Sequence, residues 1–180
     1  MTVARSGGPG HPASCASSGF TLVELLTAIA VLAILLAIGI PSFRLYLLSS
    51  QRSAASTQLY GALAQARSEA IARNTEISVF PRSSGADLAC GSSDQDWNNG
   101  WLVGASCDQD FIAVFDAVGA GVSVIPATDI TRVVYRASGR TSGNVCFMIE
   151  PDSEKLQPRE VSTQLSGRVS LRETDTPCAG

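Results

Sequence analysis

At 180 residues the chain can hold one domain with a real core, and its formal net charge of −3 makes it a poor generic polyanion binder, because phosphate binding rests on clustered Lys and Arg. There is a single lysine, Lys155, and a single histidine, His11, so a His-based metal site or catalytic triad beyond the first residues is excluded.

Residues 1–18 are rich in Gly, Ser, Pro and Ala and show no apolar periodicity, which predicts disorder. Then follow Gly19-Phe20-Thr21-Leu22-Val23-Glu24 and a run of apolar residues to Ile40. Between Phe20 and Ile40 only Thr21, Glu24 and Thr27 carry polar groups. These 21 residues, at about 1.5 Å of rise each, suffice to cross a bilayer core of about 30 Å. A buried core helix is a poor alternative, because nothing else in the chain is large enough to surround it. A secretory signal peptide fits no better: its apolar region is shorter and its small residue follows the run, whereas here Gly19 precedes it. An acid inside the apolar run, Glu24, calls for a partner and a purpose.

The segment Gly19 to Glu24 followed by a long apolar helix resembles the prepilin motif of type IV pilins and type II secretion pseudopilins. The resemblance implies cleavage between Gly19 and Phe20 by a prepilin peptidase, followed by N-methylation of Phe20. It also implies pairing of Glu24 with the N-terminal amine of a neighbouring subunit. The physics agrees, since buried opposite charges are tolerable only as a pair, and that pairing would set filament register. Removal of residues 1–19 takes away Arg5 and no acid, leaving the mature chain one unit more acidic. Pro41 matches the proline that kinks the pilin helix; it removes one helix hydrogen bond and crowds the preceding turn.

Beyond Pro41 the helical pattern resumes. Ala55, Leu59, Ala62, Leu63, Ala66 and Ala70 form one apolar stripe, Glu69 and Arg73 an i,i+4 pair, and Asn74 can end the helix in the left-handed region. Residues 21–73 therefore read as one long helix, broken or bent near Gly39-Ile40-Pro41. Strands are predicted at 76–80, 100–103, 111–115, 122–125, 132–136, 144–149, 159–164 and 168–172, separated by Gly, Pro, Ser and Asp clusters. Residues 83–99 read as a long polar loop. Short strands without helices between them imply an α+β fold, a long N-terminal helix packed on an antiparallel β-sheet head. The expected organisation is a leader at 1–19, a transmembrane helix at 20–41, an amphipathic helix at 42–74 and a β-rich head at 75–180.

Cys15 precedes the expected cut. Cys90, Cys107, Cys146 and Cys178 remain, and an even set in an exported domain reads as two disulfides. Three pairings are possible; proximity favours Cys90–Cys107 and leaves Cys146–Cys178. With no CxxC or His pair present, no metal site is expected, and no cofactor.

The head narrows the family. Residues 65–74 resemble the "AR.EAI.RN" helix end of the GspH/FimT family, Trp97-Asn98-Asn99-Gly100-Trp101-Leu102-Val103 its "W..GW.V" strand start, and residues 134–139 and 166–169 a later strand and the closing "GR" turn. The chain is identified as a member of this family of minor pseudopilins and minor pilins. The residues themselves also have plainer duties: Trp97 and Trp101 to close sheet against helix, Gly100, Gly139 and Gly167 to turn with positive φ, Arg67 and Arg73 to be solvated or paired with local acids.

Some FimT-like members bind DNA in natural transformation through a Gly-Arg-x-Arg turn. Here the turn is Gly167-Arg168-Val169-Ser170, lacking the second arginine. Arg172 is a partial substitute two residues on, Arg140 sits in a second Gly-Arg turn, and Glu160, Glu173 and Asp175 oppose them. The expectation is weak DNA binding or none, with a DNA-uptake pilin as the alternative. No nucleophile motif, metal spacing or phosphate loop suggests an enzyme. The resemblance implies a single-pass inner-membrane subunit with its head in the periplasm, incorporated into a pilus or pseudopilus. Its implied partners are other pilins or pseudopilins, the prepilin peptidase and methyltransferase, and the assembly platform. Glu24 separates it from the tip-type pseudopilin that lacks this glutamate. Type II secretion and type IV pili are not distinguished by the sequence.

Overall fold

The computed structural model describes residues 20–85, 88–108 and 111–174, together with Thr176 and Cys178. The expected leader, with Gly19, lies outside the described residues, as does Asp175. One helix, α1, runs Leu22–Arg73 over 52 residues. It continues through Pro41, so the alternative of a broken helix is not realised. A single proline deletes one backbone donor, and the i to i−4 ladder resumes on either side of that gap.

The chain divides into two units between Pro41 and Ser42. In the first, the apolar side chains of α1 stand exposed from Leu22 to Ile40. This stretch has a mean hydropathy of 2.7 and is long and apolar enough to cross a membrane. In the second unit α1 buries Arg52, Ala55, Ser56, Leu59, Ala62, Leu63, Ala66 and Ala70, the stripe legible in the sequence extended by two polar residues. Full burial of Leu59 and Leu63 contributes about 1.5–3 kcal/mol each. The helix ends by a left-handed Asn74, φ 50°, with Thr75 N–H donating to the Ala70 carbonyl at 3.2 Å and Asn74 N–H to Ile71 at 3.3 Å.

Among the described residues eight strands follow: β1 Ile77–Pro81, β2 Trp101–Gly104, β3 Ala113–Phe115, β4 Val122–Pro126, β5 Val133–Tyr135, β6 Val145–Pro151, β7 Arg159–Thr163 and β8 Val169–Glu173. They form two four-stranded sheets, ordered β3-β2-β1-β5 and β4-β6-β7-β8, and every strand pair is antiparallel. β1 is buried throughout, whereas β4 alternates, with Val122 and Val124 inward and Ser123 and Ile125 outward. The core joins the α1 stripe to Ile77, Val79, Trp101, Tyr135, Phe147 and Val161.

The predicted loop at 83–99 is corrected in part: Asp94–Asn99 form a 3-10 helix. Asp96 holds its first turn, accepting from the N–H groups of Ser92 and Ser93 and the Ser93 hydroxyl at 2.9–3.0 Å. The Ser93 amide is the main cause of the lowered Asp96 pKa. Within this helix Trp97 is fully buried, donates its indole N–H to the Ile130 carbonyl at 2.8 Å, and meets Phe147 edge-on at 4.6 Å. Trp101 stacks on Phe115 at 6.1 Å. Polar loop composition concealed a short helix whose one large side chain is a core residue.

Candidate functional site

Three features bear on function: the start of α1, two glycine turns with their arginines, and the cross-links of the head. At the start of α1, Thr21 caps the helix, its hydroxyl accepting from the Glu24 N–H at 3.2 Å. Thr21-Leu22-Val23-Glu24 thus has the spacing of a capping box, a signal present in the sequence alongside the prepilin motif. Glu24 lies on the third helical residue, where the helix dipole favours an acid. Its side chain is exposed and shares a face with Phe20, Thr27, Val31 and Leu35.

At the other end of α1 the structure brings together what the sequence kept apart. Gly139 and Gly167 adopt φ of 72° and 76°, and a Cβ on Gly167 would strike the Gly139 carbonyl oxygen. Arg67 lies against both glycines, with its Nε buried and without a hydrogen-bond partner. Of its two expected duties, Arg67 makes no ion pair with a local acid among the described residues; it is half-buried, with the turns covering its Nε. Arg73 does pair with Glu69, at 2.6 Å. Because the two turns touch, the exposed residues Arg140 and Arg168 sit on adjacent loops.

Arg172 does not join them. It pairs at 2.7 Å with Glu160, whose side chain is only 3% exposed, across the β7–β8 register. Nor does Glu173 oppose Arg168. It is held by Arg159 at 2.9 Å and Arg52 at 3.2 Å at the far end of β8. The Arg159 hydrogen bond lowers the Glu173 pKa, with the charges of Arg159 and Arg52 acting the same way. Arg52 is buried in α1 and also donates to the Gln157 carbonyl, while Arg159 donates to the Ser53 hydroxyl at 2.9 Å. Glu173 thus fastens β8 to β7 and to the helix. Charges adjacent in sequence are separated by strand direction and find partners on other elements.

Cys90 is joined to Cys107, and Cys146 to Cys178, with Cα separations of 5.8 and 5.9 Å. The second cross-link fastens the C-terminal residues to β6. The Glu160 carboxylate lies within 4.8 Å of both its sulfurs, but sulfurs bonded to each other offer no thiolate to a metal. Burial raises the pKa of Tyr135, whose hydroxyl lies 3.2 Å from that of Thr163.

A long N-terminal helix laid on antiparallel sheets and preceded by this motif defines a protein of pilin type. Residues 55–167 match the model of the type II transport protein GspH family, more than half the chain, and the chain belongs to that family. Residues 15–40 match the prokaryotic N-terminal methylation motif. No curated protein matches the chain. The fold is shared with the type IV minor pilin FimU of Pseudomonas aeruginosa strain PAO1, at TM-score 0.57 and 19% identity, covering 69% of this chain and 90% of that one. A second crystal form of the same minor pilin gives 0.52 and 20%, with 67% and 91% covered. The minor pseudopilin EpsH from the type 2 secretion system of Vibrio cholerae gives 0.50 and 16%, with 68% and 97% covered.

Proposed function

We propose that the chain is a minor pilin or pseudopilin subunit that enters, or primes, the filament of a type II secretion system or a type IV pilus. In this reading the stretch 20–41 anchors it in the inner membrane, with the head in the periplasm. Prepilin peptidase cuts between Gly19 and Phe20, the new amine is methylated, and the assembly platform inserts the subunit beside other pilins. The observation that carries the proposal is Glu24 within an apolar helical stretch whose side chains stand exposed, five residues after Gly19 and inside the methylation motif. A carboxylate there is tolerable only with a partner, and the amine of an adjacent subunit is the partner the motif supplies. N-terminal mass analysis of the membrane form tests it: the chain should begin at Phe20 and carry a methyl group. A start before Gly19, in cells with an active prepilin peptidase, overturns the reading. Deletion separates the two machines, through lost twitching in one case and retained exoprotein in the other.

DNA capture is a second reading, favoured by one observation: the Gly139 and Gly167 turns touch, so Arg140 and Arg168 are on adjacent loops. Arg172 is committed to Glu160, so the patch lacks the second arginine of the DNA-binding turn. The expected result is weak binding of duplex DNA or none at about 0.15 M salt, where screening acts over about 8 Å. A micromolar complex lost on Arg168→Ala would establish a DNA receptor instead.

A further inference from the structure

Where α1 enters the head, Arg44, Leu47, Leu48 and Gln51 follow one another at helical spacing and share one face. Arg44 and Leu47 are exposed, and Leu48 and Gln51 are half-buried. The turn before β4 packs on this face through glycine backbone. A Cβ on Gly119 would lie 2.8 Å from the Gln51 side chain, and one on Gly121 would lie 3.1 Å from Leu48. The Gly121 carbonyl accepts from the Asp152 N–H at 2.7 Å, which brings the residue just after β6 to the same place. Together with Ala120 these residues line a groove of about 280 Å³, with a guanidinium contributed by the helix and a carboxylate by the loop.

Neither Arg44 nor Asp152 is in an ion pair among the described residues, with each other or with any third group. Arg52, two turns along the helix, is already held by Glu173. The remaining charges beside Asp152 are Glu150, Glu154 and Lys155 of the β6–β7 loop, all exposed. Acids therefore outnumber bases around the groove, and its one cation on the helix is Arg44. Along the chain, Arg44 follows closely on Ile40, where the apolar run ends, and exposed Phe43 and Tyr46 flank it. Arginine and aromatic residues directly after an apolar span are the composition of a membrane–water boundary.

We propose that this groove seats the headgroup of a phosphatidylethanolamine lipid from the bilayer that the preceding span crosses. Arg44 takes the phosphate, Asp152 takes the primary ammonium, and Leu47 meets the apolar end of the headgroup. The inference rests on the membrane-anchored reading and adds to it a recognition of lipid by the head. The donor set selects the headgroup. A guanidinium donates to phosphate, and a primary ammonium donates to a carboxylate. The quaternary ammonium of phosphatidylcholine has no N–H to donate to Asp152. Phosphatidylglycerol brings no cation at all and meets repulsion from Glu150, Asp152 and Glu154. Exposed charge pairs are individually weak, so the contact depends on lipid kept at high local concentration by the span.

The test uses the full chain in vesicles holding equal amounts of phosphatidylethanolamine, phosphatidylcholine and phosphatidylglycerol. A photo-crosslinking residue replaces Leu47 and, separately, Val31 in the apolar span, and the adduct mass identifies the lipid. Adducts from Val31 should follow the vesicle composition. Those from Leu47 should be enriched in phosphatidylethanolamine by at least about threefold, the scale of an exposed charge pair. Asp152→Asn should abolish that enrichment. Arg44→Gln should lower all lipid adducts at Leu47, and Arg44→Lys should keep them. Both positions are exposed, so the fold persists in these variants. Leu47 adducts that mirror the composition, that contain protein only, or that ignore the Asp152 and Arg44 changes overturn the proposal. Val31 adducts that persist beside such a result leave the membrane reading standing. Loss of lipid adducts at both positions overturns the two together.

Discussion

Gly167 and Gly139 meet so closely that a methyl group on the first would occupy the carbonyl oxygen of the second. Two loops 28 residues apart in sequence thereby share one contact, and the Arg67 side chain lies against both. Gly167→Ala should be strongly destabilising, by roughly 1–3 kcal/mol for the positive φ alone and more for the displaced turn. Gly143→Ala is the control. Nothing lies within 4 Å of its Cβ position and its φ is not in the left-handed region, so it should stay within about 0.5 kcal/mol of the parent. Chemical denaturation of the two variants checks the contrast.

The two buried tryptophans should respond differently to the same substitution. Trp97 satisfies the Ile130 carbonyl, whereas the Trp101 indole N–H is buried without a partner. Both Trp→Phe changes remove similar volume from a fully buried site. Trp97→Phe also strands an acceptor, at about 1–3 kcal/mol, while Trp101→Phe removes a donor that was already unsatisfied. Trp97→Phe should therefore be the less stable variant by at least about 1 kcal/mol. Equal midpoints in urea would refute this difference.

The helix stripe and all eight strands were legible because burial writes periods of 3.6 and 2 into apolar residues. Ala55, Leu59, Ala62, Leu63, Ala66 and Ala70 are buried together, and the strand ends moved by only one or two residues. What the sequence concealed were tertiary partners. Arg52 is a charged residue in a polar run, and nothing local announces that Glu173 and Gln157 will cover it. Arg172 looked available because Glu160 is twelve residues away, yet the β7–β8 register sets them opposite each other. The helical turn around Trp97 was hidden by its Asp and Asn neighbours, whose side chains cap and tie it rather than pack.

Stability should fall in acid through Glu173. Its folded-state pKa lies below the ordinary value of 4.5, chiefly because of the Arg159 hydrogen bond. A depressed acid contributes fully above its unfolded pKa and loses that contribution as pH falls through the folded one. Glu173→Gln should thus lower Tm at pH 7, and the gap to the parent should narrow as pH drops below about 4.5. A gap that stays constant from pH 7 to pH 3 would assign the loss to geometry rather than to charge.

Glu24 has two separable duties, and substitutions distinguish them. Its backbone N–H is part of the Thr21 cap, and an acid in the first turn stabilises the helix start by about 0.3–1 kcal/mol. The proposed pairing with a neighbour's N-terminal amine is worth more, since removing one partner of a buried pair leaves the other charge unmatched, at about 3–5 kcal/mol. Glu24→Gln keeps the length and hydrogen-bonding capacity of the side chain and discards its charge; Glu24→Ala discards both. Each variant makes the span less costly to insert, so membrane localisation and processing after Gly19 should persist. Crosslinking to the major subunit should fall by at least about tenfold for both variants, the change that 1.4 kcal/mol produces. Gln restoring assembly to the parent level would show that the charge of Glu24 is not what assembly requires. Undiminished crosslinking with Ala would remove it from assembly altogether.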